Sequence, residues 1–307
     1  MTLEFGIYAG GLGADMEGNV TPGPPEDAQR IAERLDELGV HLVRGYVQYD
    51  DAHGGHLAAP PEPWQHAVHG RRLDLVACFR ERGDDLGGWL SFLRGLLRTH
   101  GECLATLQVA EEANHQGPGG DGGSPAVRRA IVEGVLAARA EADRLGLDVR
   151  IGCNSTPVFD PAQEFWASLK EIGPVIDYAG LDFFPGVWRP VTDFPPAVEG
   201  VLRNFREQSL AAAGVPATAA IHVTENGWAT GNGRTYERQA EVLEQIVRTV
   251  AVCAPELNIA AYEHFALRDA DSAIDDHMFQ FGLLRSDYSA KPAFARYKTL
   301  IRELGTR

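Results

Sequence analysis

The chain has 307 residues, of which 44% are hydrophobic and 23% are charged. This composition excludes a largely disordered chain, and the length suits one large domain, which we predict to span residues 1–307. The formal net charge is −15 at pH 7 and no long run of lysine or arginine occurs, which argues against a nucleic-acid partner.

The N-terminal sequence and the cysteines predict a cytoplasmic protein. The first eleven residues lack a basic region followed by an apolar stretch, so no signal peptide is expected, and no run is long enough to span a membrane. The cysteines lie far apart and form no C-x-x-C pair, which is typical of buried thiols rather than of disulfides or a zinc site. We expect no cofactor and no membrane association. The cysteines are Cys78, Cys103, Cys153 and Cys253.

Eight short apolar runs alternate along the chain with helix-like segments of ten or more residues. The runs cover residues 3–9, 40–46, 73–79, 104–110, 149–154, 176–184, 219–224 and 259–267. They are almost continuously apolar, as expected of parallel strands that are covered on both faces. Eight such β-then-α units without a break in composition predict an α/β protein with a single (β/α)₈ TIM barrel.

The segments between the runs carry helix signals. Residues 27–38 place apolar side chains on one helical face, and Gly39 can end that helix in a left-handed conformation. Ser124 precedes a proline and is expected to begin the next clear helix, and Thr235 is expected to cap another.

A doubly wound open sheet is the structural alternative to the barrel. Such a sheet would carry a G-x-G-x-x-G motif after its first strand, but the glycines of residues 10–13 have a different spacing. Loops rich in glycine, proline and aspartate follow strands 1, 2 and 4, at residues 18–27, 54–63 and 117–124. In a barrel these loops would lie at the C-terminal rim, where the functional site is expected.

Two strands end in glutamates. The fourth run is followed by Glu111 and Glu112, and the seventh by Glu225. In a barrel of eight strands, the fourth and the seventh face each other across the mouth. Glycoside cleavage needs such a carboxyl pair, and a separation of about 5–5.5 Å is typical of the retaining mechanism. Glutamates at a rim can also be merely solvated, which is the simpler interpretation of either one alone.

The residues around these glutamates resemble a known group of enzymes. Residues 223–228, Val-Thr-Glu-Asn-Gly-Trp, resemble the strand-7 motif of the clan A retaining glycosidases, which include β-glucosidases, β-xylosidases and cellulases and carry catalytic glutamates on strands 4 and 7. Residues 111–114 are similar to the clan's Asn-Glu-Pro motif, and residues 265–269 and 281–294 resemble its C-terminal segment. The resemblance implies that Glu112 is the acid/base, that Glu225 is the nucleophile and that Arg44 keeps the nucleophile ionised.

Three positions differ from the clan. Glu111 replaces the asparagine that binds the sugar 2-hydroxyl, and a carboxylate can donate a hydrogen bond only when it is protonated. Phe184 occupies the place of an aromatic residue whose hydroxyl would touch the nucleophile. The tryptophan of strand 8 is replaced by His264 or Phe265.

Further residues are candidates for contact with a sugar. The tryptophans in predicted rim loops can stack on sugar rings, although ordinary packing is an equally good interpretation of each. Three polar residues are candidate partners of sugar hydroxyl groups. The tryptophans are Trp64, Trp188 and Trp228, and the polar residues are Asn114, Asp182 and Asn226.

The leading hypothesis is a retaining glycosidase that acts on a β-linked sugar by double displacement. A carbohydrate-binding barrel with weak or no catalysis is the alternative, because Glu111 adds a third acid to the site. A metal-dependent hydrolase is a third, less favoured hypothesis, since the candidate histidines lie in a loop and form no H-E-x-x-H pair. These histidines are His53, His56, His66 and His69.

Overall fold

The computed structural model describes residues 2–11, 23–50, 55–58, 62–79, 86–117, 119–157 and 164–306. In this part of the chain, eight parallel strands pair in sequence order, and the last pairs with the first, so that the sheet closes. The predicted (β/α)₈ barrel is therefore confirmed. The strands are β1 (Glu4–Tyr8), β2 (Leu42–Asp50), β3 (Arg72–Phe79), β4 (Leu104–Val109), β5 (Arg150–Ser155), β6 (Tyr178–Asp182), β7 (Ala220–Asn226) and β8 (Ile259–His264).

Helices surround the barrel. They are α1 (Ala28–Leu38), α2 (Gly87–His100), α3 (Val127–Leu145), α4 (Glu164–Ala167), α5 (Phe194–Asn204), α6 (Tyr236–Leu257) and α7 (Pro292–Leu304).

The prediction that every strand is followed by a helical segment of ten or more residues is wrong in two places. Between β2 and β3, the described residues form an additional strand, Gly55–Ala58, and one 3₁₀ turn, Pro63–His66. The additional strand runs antiparallel to the end of β2, so the chain after β2 extends the sheet before it returns to β3. Between β5 and β6, helix α4 has only four residues.

The helix caps agree with the sequence at two of three ends. The side chain of Asp27 accepts hydrogen bonds from two backbone amides of α1, and Gly39 ends that helix at a φ of 74°. Thr235 accepts from the backbone amide three residues further on in α6, as predicted. The prediction for Ser124 is wrong, because α3 begins only at Val127 and the carbonyl of Ser124 lies in the preceding turn.

The outer face of the barrel carries the main hydrophobic core. Strand residues such as Ile7, Val43 and Leu107 belong to one continuous buried cluster with helix residues such as Leu35 and Leu93. Burial of this layer is the main source of folding free energy, because strands of a parallel barrel are covered by helices.

Polar side chains fill much of the barrel interior. Arg150 donates to Glu4 at 2.6 Å and also lies 3.2 Å from Nε2 of His222. Burial lowers the pKa of His222 to about 3, so this ring is neutral. Barrels of this type are usually filled by branched apolar side chains, whereas this interior is rich in buried polar and charged groups.

Two acids lie side by side in the same interior. Burial, and then the neighbouring Asp74, raise the pKa of Glu263 well above its ordinary value, which favours the protonated form of Glu263. Asp74 also accepts a hydrogen bond from the hydroxyl of Thr106. Gly6 makes room for this pair, because a Cβ atom at that position would lie 2.6 Å from Oε2 of Glu263.

Two further expectations concern the whole chain. None of the helices in the described ranges is long and apolar enough to cross a membrane. The four cysteines form no disulfide, and three of them are buried.

Candidate active site

Glu225 reaches the mouth of the barrel through an irregularity in β7. The register of β7 shifts against both neighbouring strands close to this residue, as in a β-bulge. Consecutive side chains therefore both face the interior. The Thr224 hydroxyl donates to Asp182 at 2.5 Å, and Oε1 of Glu225 accepts from Nε of Arg44 at 3.3 Å. The carboxyl group of Glu225 is buried beneath the mouth.

Arg44, on β2, holds the acids of the site together. Its buried guanidinium donates to Asp74, to Oε1 of Gln108 at 3.0 Å and to Oε2 of Glu111 at 3.3 Å, besides Glu225. Burial raises the pKa of Asp74, but the adjacent guanidinium and the hydrogen bonds from Glu263 and Thr106 together outweigh this effect and hold the pKa below its ordinary value. Arg44 therefore compensates the charge of Asp74 and stabilises a second carboxylate in the mouth.

Tyr46 is a site residue that the sequence analysis missed. Its hydroxyl donates to Oε1 of Glu225 and accepts from Nε of Arg44 at 2.9 Å. Burial raises the pKa of Tyr46 well above its ordinary value, which keeps the phenol protonated and able to donate. A hydroxyl group of this kind was expected after strand 6, where the chain has Phe184 instead. The signal was present in β2, because residues two apart on a strand face the same side.

Three carboxyl groups crowd the mouth. Oxygen atoms of Glu111, Asp182 and Glu225 lie within 4.8 Å of one another. Burial, followed by the charge of Glu225, raises the pKa values of Glu111 and Asp182 well above their ordinary values. Burial also raises the pKa of Glu225, but Arg44 and Tyr46 oppose this effect. Glu111 and Asp182 therefore take up protons at a higher pH than Glu225 does.

Glu112 lies in the loop that follows β4. Its backbone has a φ of 37° and is held by a hydrogen bond from its amide to Oδ1 of Asn154, at 2.9 Å. Its carboxyl oxygen Oε2 lies 3.2 Å from Nδ1 of His115. The charge of Glu112 is among the influences that raise the pKa of Glu225. The two glutamates are thus electrostatic neighbours across the mouth.

Asp121, which the sequence analysis did not single out, fixes this loop. Its Oδ2 atom accepts from the backbone amides of Phe79 and Glu111, at 2.7 and 2.8 Å. The glycine-rich segment that contains it packs closely, because a Cβ atom at Gly122 would lie 2.6 Å from the carbonyl oxygen of His115. The predicted rim loop at residues 117–124 therefore positions the strand-4 glutamates.

Both asparagines that were predicted to contact the sugar are engaged by the protein. The Asn114 amide exchanges two hydrogen bonds with the backbone of Thr156. The Asn226 amide donates to the carbonyl of Phe183 at 2.6 Å and accepts from the hydroxyl of Tyr262 at 2.7 Å. These side chains brace the rim in this structure.

The aromatic candidates lie in different places. His264 is 1% exposed and faces Tyr297 of α7, whereas Phe265 is half-buried and stacks on Tyr8 with ring centroids 5.1 Å apart. Phe184 contacts Phe265 edge-on. Of the two residues considered for the strand-8 position, Phe265 is the one that packs beside the other rim aromatics.

The three tryptophans are also separated. Trp64 stacks on His100, with ring centroids 4.5 Å apart, on the outside of the barrel. Trp188, which is 40% exposed, and Trp228, which is 9% exposed, line one cavity at the rim.

The histidines proposed for a metal site do not come together in the described residues. His66 is buried, and His69 pairs with Asp36. His53 and the side chain of His56 lie outside the described residues, as do parts of the predicted loops at 18–27 and 54–63. The acids at the mouth can bring three oxygens together, but the Arg44 guanidinium already donates to two of these three residues.

Neither a family model nor a curated protein matches the sequence. The structure is similar to a family 39 glycoside hydrolase from Bacteroides cellulosilyticus WH2, with a TM-score of 0.67 and 15% identity over 97% of this chain and 63% of that one. A β-glucosidase from Exiguobacterium marinum gives a TM-score of 0.67 and 12% identity over 100% of this chain and 98% of the other.

A β-glucosidase from Thermotoga maritima in complex with deoxynojirimycin has a TM-score of 0.64 and 14% identity, over 91% of this chain and 86% of that one. This chain spans less than two thirds of the length of the family 39 structure. At such identities, the similarities show the shared barrel fold.

Proposed function

We propose that this protein is a retaining glycoside hydrolase that cleaves a β-linked sugar, with Glu225 as nucleophile and Glu112 as acid/base. The observation that carries the proposal is the arrangement around Glu225. Both Arg44 and Tyr46 donate to the same oxygen, Oε1, which leaves Oε2 available for attack. Similar barrels among solved structures are named as β-glucosidases and as a family 39 glycoside hydrolase, which supports the assignment.

The chemistry takes two displacements. Oε2 of Glu225 attacks the anomeric carbon while the bond to the glycosidic oxygen breaks, and the carboxyl group of Glu112 gives its proton to that oxygen. A water molecule then attacks the same carbon, Glu112 takes a proton from the water, and the bond to Glu225 breaks. Two inversions at one carbon retain the configuration.

Arg44 and Tyr46 stabilise the charge on Glu225 before attack and after release. Charge-assisted hydrogen bonds of this kind favour the ionised form of a buried carboxyl group. Neither residue leaves its position during the reaction, so their stabilising effect requires no reorganisation.

Glu111 occupies the position at which the resembled glycosidases have an asparagine, a neutral hydrogen-bond donor. Its Oε2 atom already accepts from Arg44, from Gln108 at 2.5 Å and from Asn154 at 3.4 Å. With its raised pKa, Glu111 can hold a proton on Oε1 and donate it in a hydrogen bond to a sugar hydroxyl, as an amide would.

The test is hydrolysis of a panel of aryl β-glycosides, with the product anomer identified by NMR. Glu225→Gln should lose more than about a thousandfold in kcat, because no nucleophile remains. Glu112→Gln should lose activity mainly on substrates with poor leaving groups, because those need the proton. The exposed Glu171→Gln serves as control.

Several results would contradict the proposal. Substantial turnover by Glu225→Gln would remove the nucleophile assignment, and inversion of configuration would remove the mechanism. If Glu111→Gln showed the leaving-group dependence instead, Glu111 would be the acid/base. Saturable sugar binding without any turnover would favour the carbohydrate-binding alternative.

A further inference from the structure

A cavity of about 460 Å³ opens at the C-terminal rim of the barrel beside the candidate active site. The loop after β6, from Gly186 onward, forms one wall, and Trp228, three residues after Glu225, forms another. The first turns of α5 and α6 complete it. This volume lies within the range of about 300–1,000 Å³ that is typical of small-molecule sites.

Aromatic and cationic side chains line this rim cavity together with aliphatic ones such as Val187 and Val191. Trp188, Trp228 and Phe194 provide ring surfaces, and Arg234 and Arg238 provide the charges. The residues that line it include no carboxylate. Since the chain as a whole carries a net charge of −15, this is a local reversal of sign, and it favours an anionic ligand.

Arg234 is held in place without a counter-ion. Its guanidinium lies over the Trp228 ring, 4.9 Å from the centroid, and donates to the carbonyl of Gly186 at 3.1 Å. It forms no ion pair within the described part of the chain, and its Nη1 atom is buried without a hydrogen-bond partner there. Arg234 lines the cavity and has no counter-ion among the described residues, so its charge is available to an anion bound there.

Arg238 is held by a glutamate of its own helix and by an aromatic ring of α5. One of its nitrogens pairs with Glu241 of the same helix at 2.8 Å, and its guanidinium lies 5.7 Å from the centre of the Phe194 ring. Two guanidinium groups beside ring surfaces suit a planar carboxylate on a sugar, because guanidinium binds a carboxylate through paired hydrogen bonds and the sugar ring stacks on an aromatic face.

We propose that this rim cavity binds a carboxylate-bearing sugar unit, so that the substrate is an acidic glycan. The statement that this sugar unit belongs to a substrate rests on the proposed function, whereas the cavity and its charge are independent of the reaction. It also assigns Trp188 and Trp228 to this unit rather than to the sugar at the catalytic centre.

The experiment measures the binding of methyl β-D-glucuronide and methyl β-D-glucoside to the Glu225→Gln protein by titration calorimetry. The glucuronide should bind at least about tenfold more tightly, and its affinity should fall as salt is added. Arg238→Gln should weaken glucuronide binding about threefold or more, and Arg234→Gln should abolish the preference. Arg248→Gln, on the outer surface of the same helix, is the matched control.

Equal affinities for the two sugars, or a preference that survives both arginine variants, would overturn the cavity assignment. Circular dichroism of each variant separates loss of binding from loss of fold, and Arg238→Gln keeps the test valid if Arg234→Gln unfolds. Hydrolysis of neutral glycosides without a preference for acidic ones removes only this inference. Arginine-dependent glucuronide binding without any glycosidase activity removes only the proposed function.

Discussion

Replacement of Glu111 by glutamine removes one acid from the crowded mouth of the barrel. The side chain is buried, and its carboxyl oxygens lie within 4.8 Å of those of Asp182 and Glu225. Glutamine keeps the shape and an oxygen that can accept from Arg44, Gln108 and Asn154. The substitution therefore tests the charge with little change in packing.

The expected effect is a gain in stability at neutral pH. At 4.8 Å and an effective dielectric constant of about 20, the ionised Glu225 repels an ionised Glu111 by about 3 kcal/mol, so on folding Glu111 must either bear this repulsion or take up a proton, and both cost free energy at pH 7.5. The guanidinium of Arg44, 3.3 Å away, attracts it by about 5 kcal/mol on the same scale but serves Asp74 and Glu225 as well. Since burial adds a further penalty, we expect Glu111→Gln to raise the free energy of unfolding by about 1–3 kcal/mol at pH 7.5.

The direction of the pKa shift of Glu111 determines how the gain in stability depends on pH. The pKa of Glu111 is raised above its ordinary value of 4.5 in the folded protein. The stability that this group contributes is therefore fully present below about pH 4.5 and is lost as the pH rises through the folded-state pKa. The variant and the parent should converge near pH 4.5 and diverge progressively as the pH rises above it.

Urea unfolding and thermal melting between pH 4.5 and 8.5 measure this difference, with the exposed Glu171→Gln as control. A gain of this size corresponds to a rise in melting temperature of about 2–8 °C at pH 7.5. A variant that is less stable than the parent at pH 7.5, or a difference that does not change with pH, would refute the argument.

Two further substitutions test the hydrogen bonds of buried charges. Tyr46→Phe removes a hydrogen bond that lowers the pKa of Glu225, so the acidic limb of the kcat/KM profile should move up by about one pH unit. Tyr297→Phe, which loses a hydrogen bond to a backbone carbonyl, is the control and should leave the profile unchanged. Lys291→Met leaves Asp269 buried without its cation, which lies 2.6 Å away in the parent, and should lower the free energy of unfolding in urea by about 3–5 kcal/mol. Adding Asp269→Asn to this variant should restore most of the loss. A loss below about 1 kcal/mol would contradict the second prediction.

The barrel could be predicted because each of its strands is buried on both faces. Such strands are continuous apolar runs, and all eight runs correspond to strands of the structure. The connections were harder, because their form depends on partners elsewhere. Gly55–Ala58 becomes a strand only because the end of β2 offers it a free edge. No local pattern in the sequence reports such an edge.

The site was predictable where strand ends carry the chemistry. Glu112 and Glu225 follow apolar runs, whereas Arg44 lies near the start of β2 rather than at its predicted end. Arg44 donates a hydrogen bond to Glu225, and the charge of Glu112 raises the pKa of Glu225. Asp121 could not be found in this way, because its role depends on two backbone amides that belong to other segments. The sequence likewise gives no sign that the amide of Asn226 is already hydrogen-bonded within the protein.

The arrangement of protons explains how one cluster of acids can supply a nucleophile. One guanidinium cannot compensate four carboxylates, and Asp74, with a pKa held below its ordinary value, already takes part of its charge. Among the three acids of the mouth, the pKa is raised less for Glu225 than for Glu111 or Asp182, since Glu225 alone receives bonds from both Arg44 and Tyr46.

The last proton to bind as the pH falls through this cluster therefore goes to Glu225, which stays ionised at a pH where its two neighbours already carry protons. Environments that separate the pKa values of adjacent carboxyl groups are typical of active sites, because they give the groups different protonation states. In this barrel, the separation follows from which strands carry Arg44 and Tyr46. A protein without Tyr46 should keep the fold, and its Glu225 should take up a proton at a higher pH.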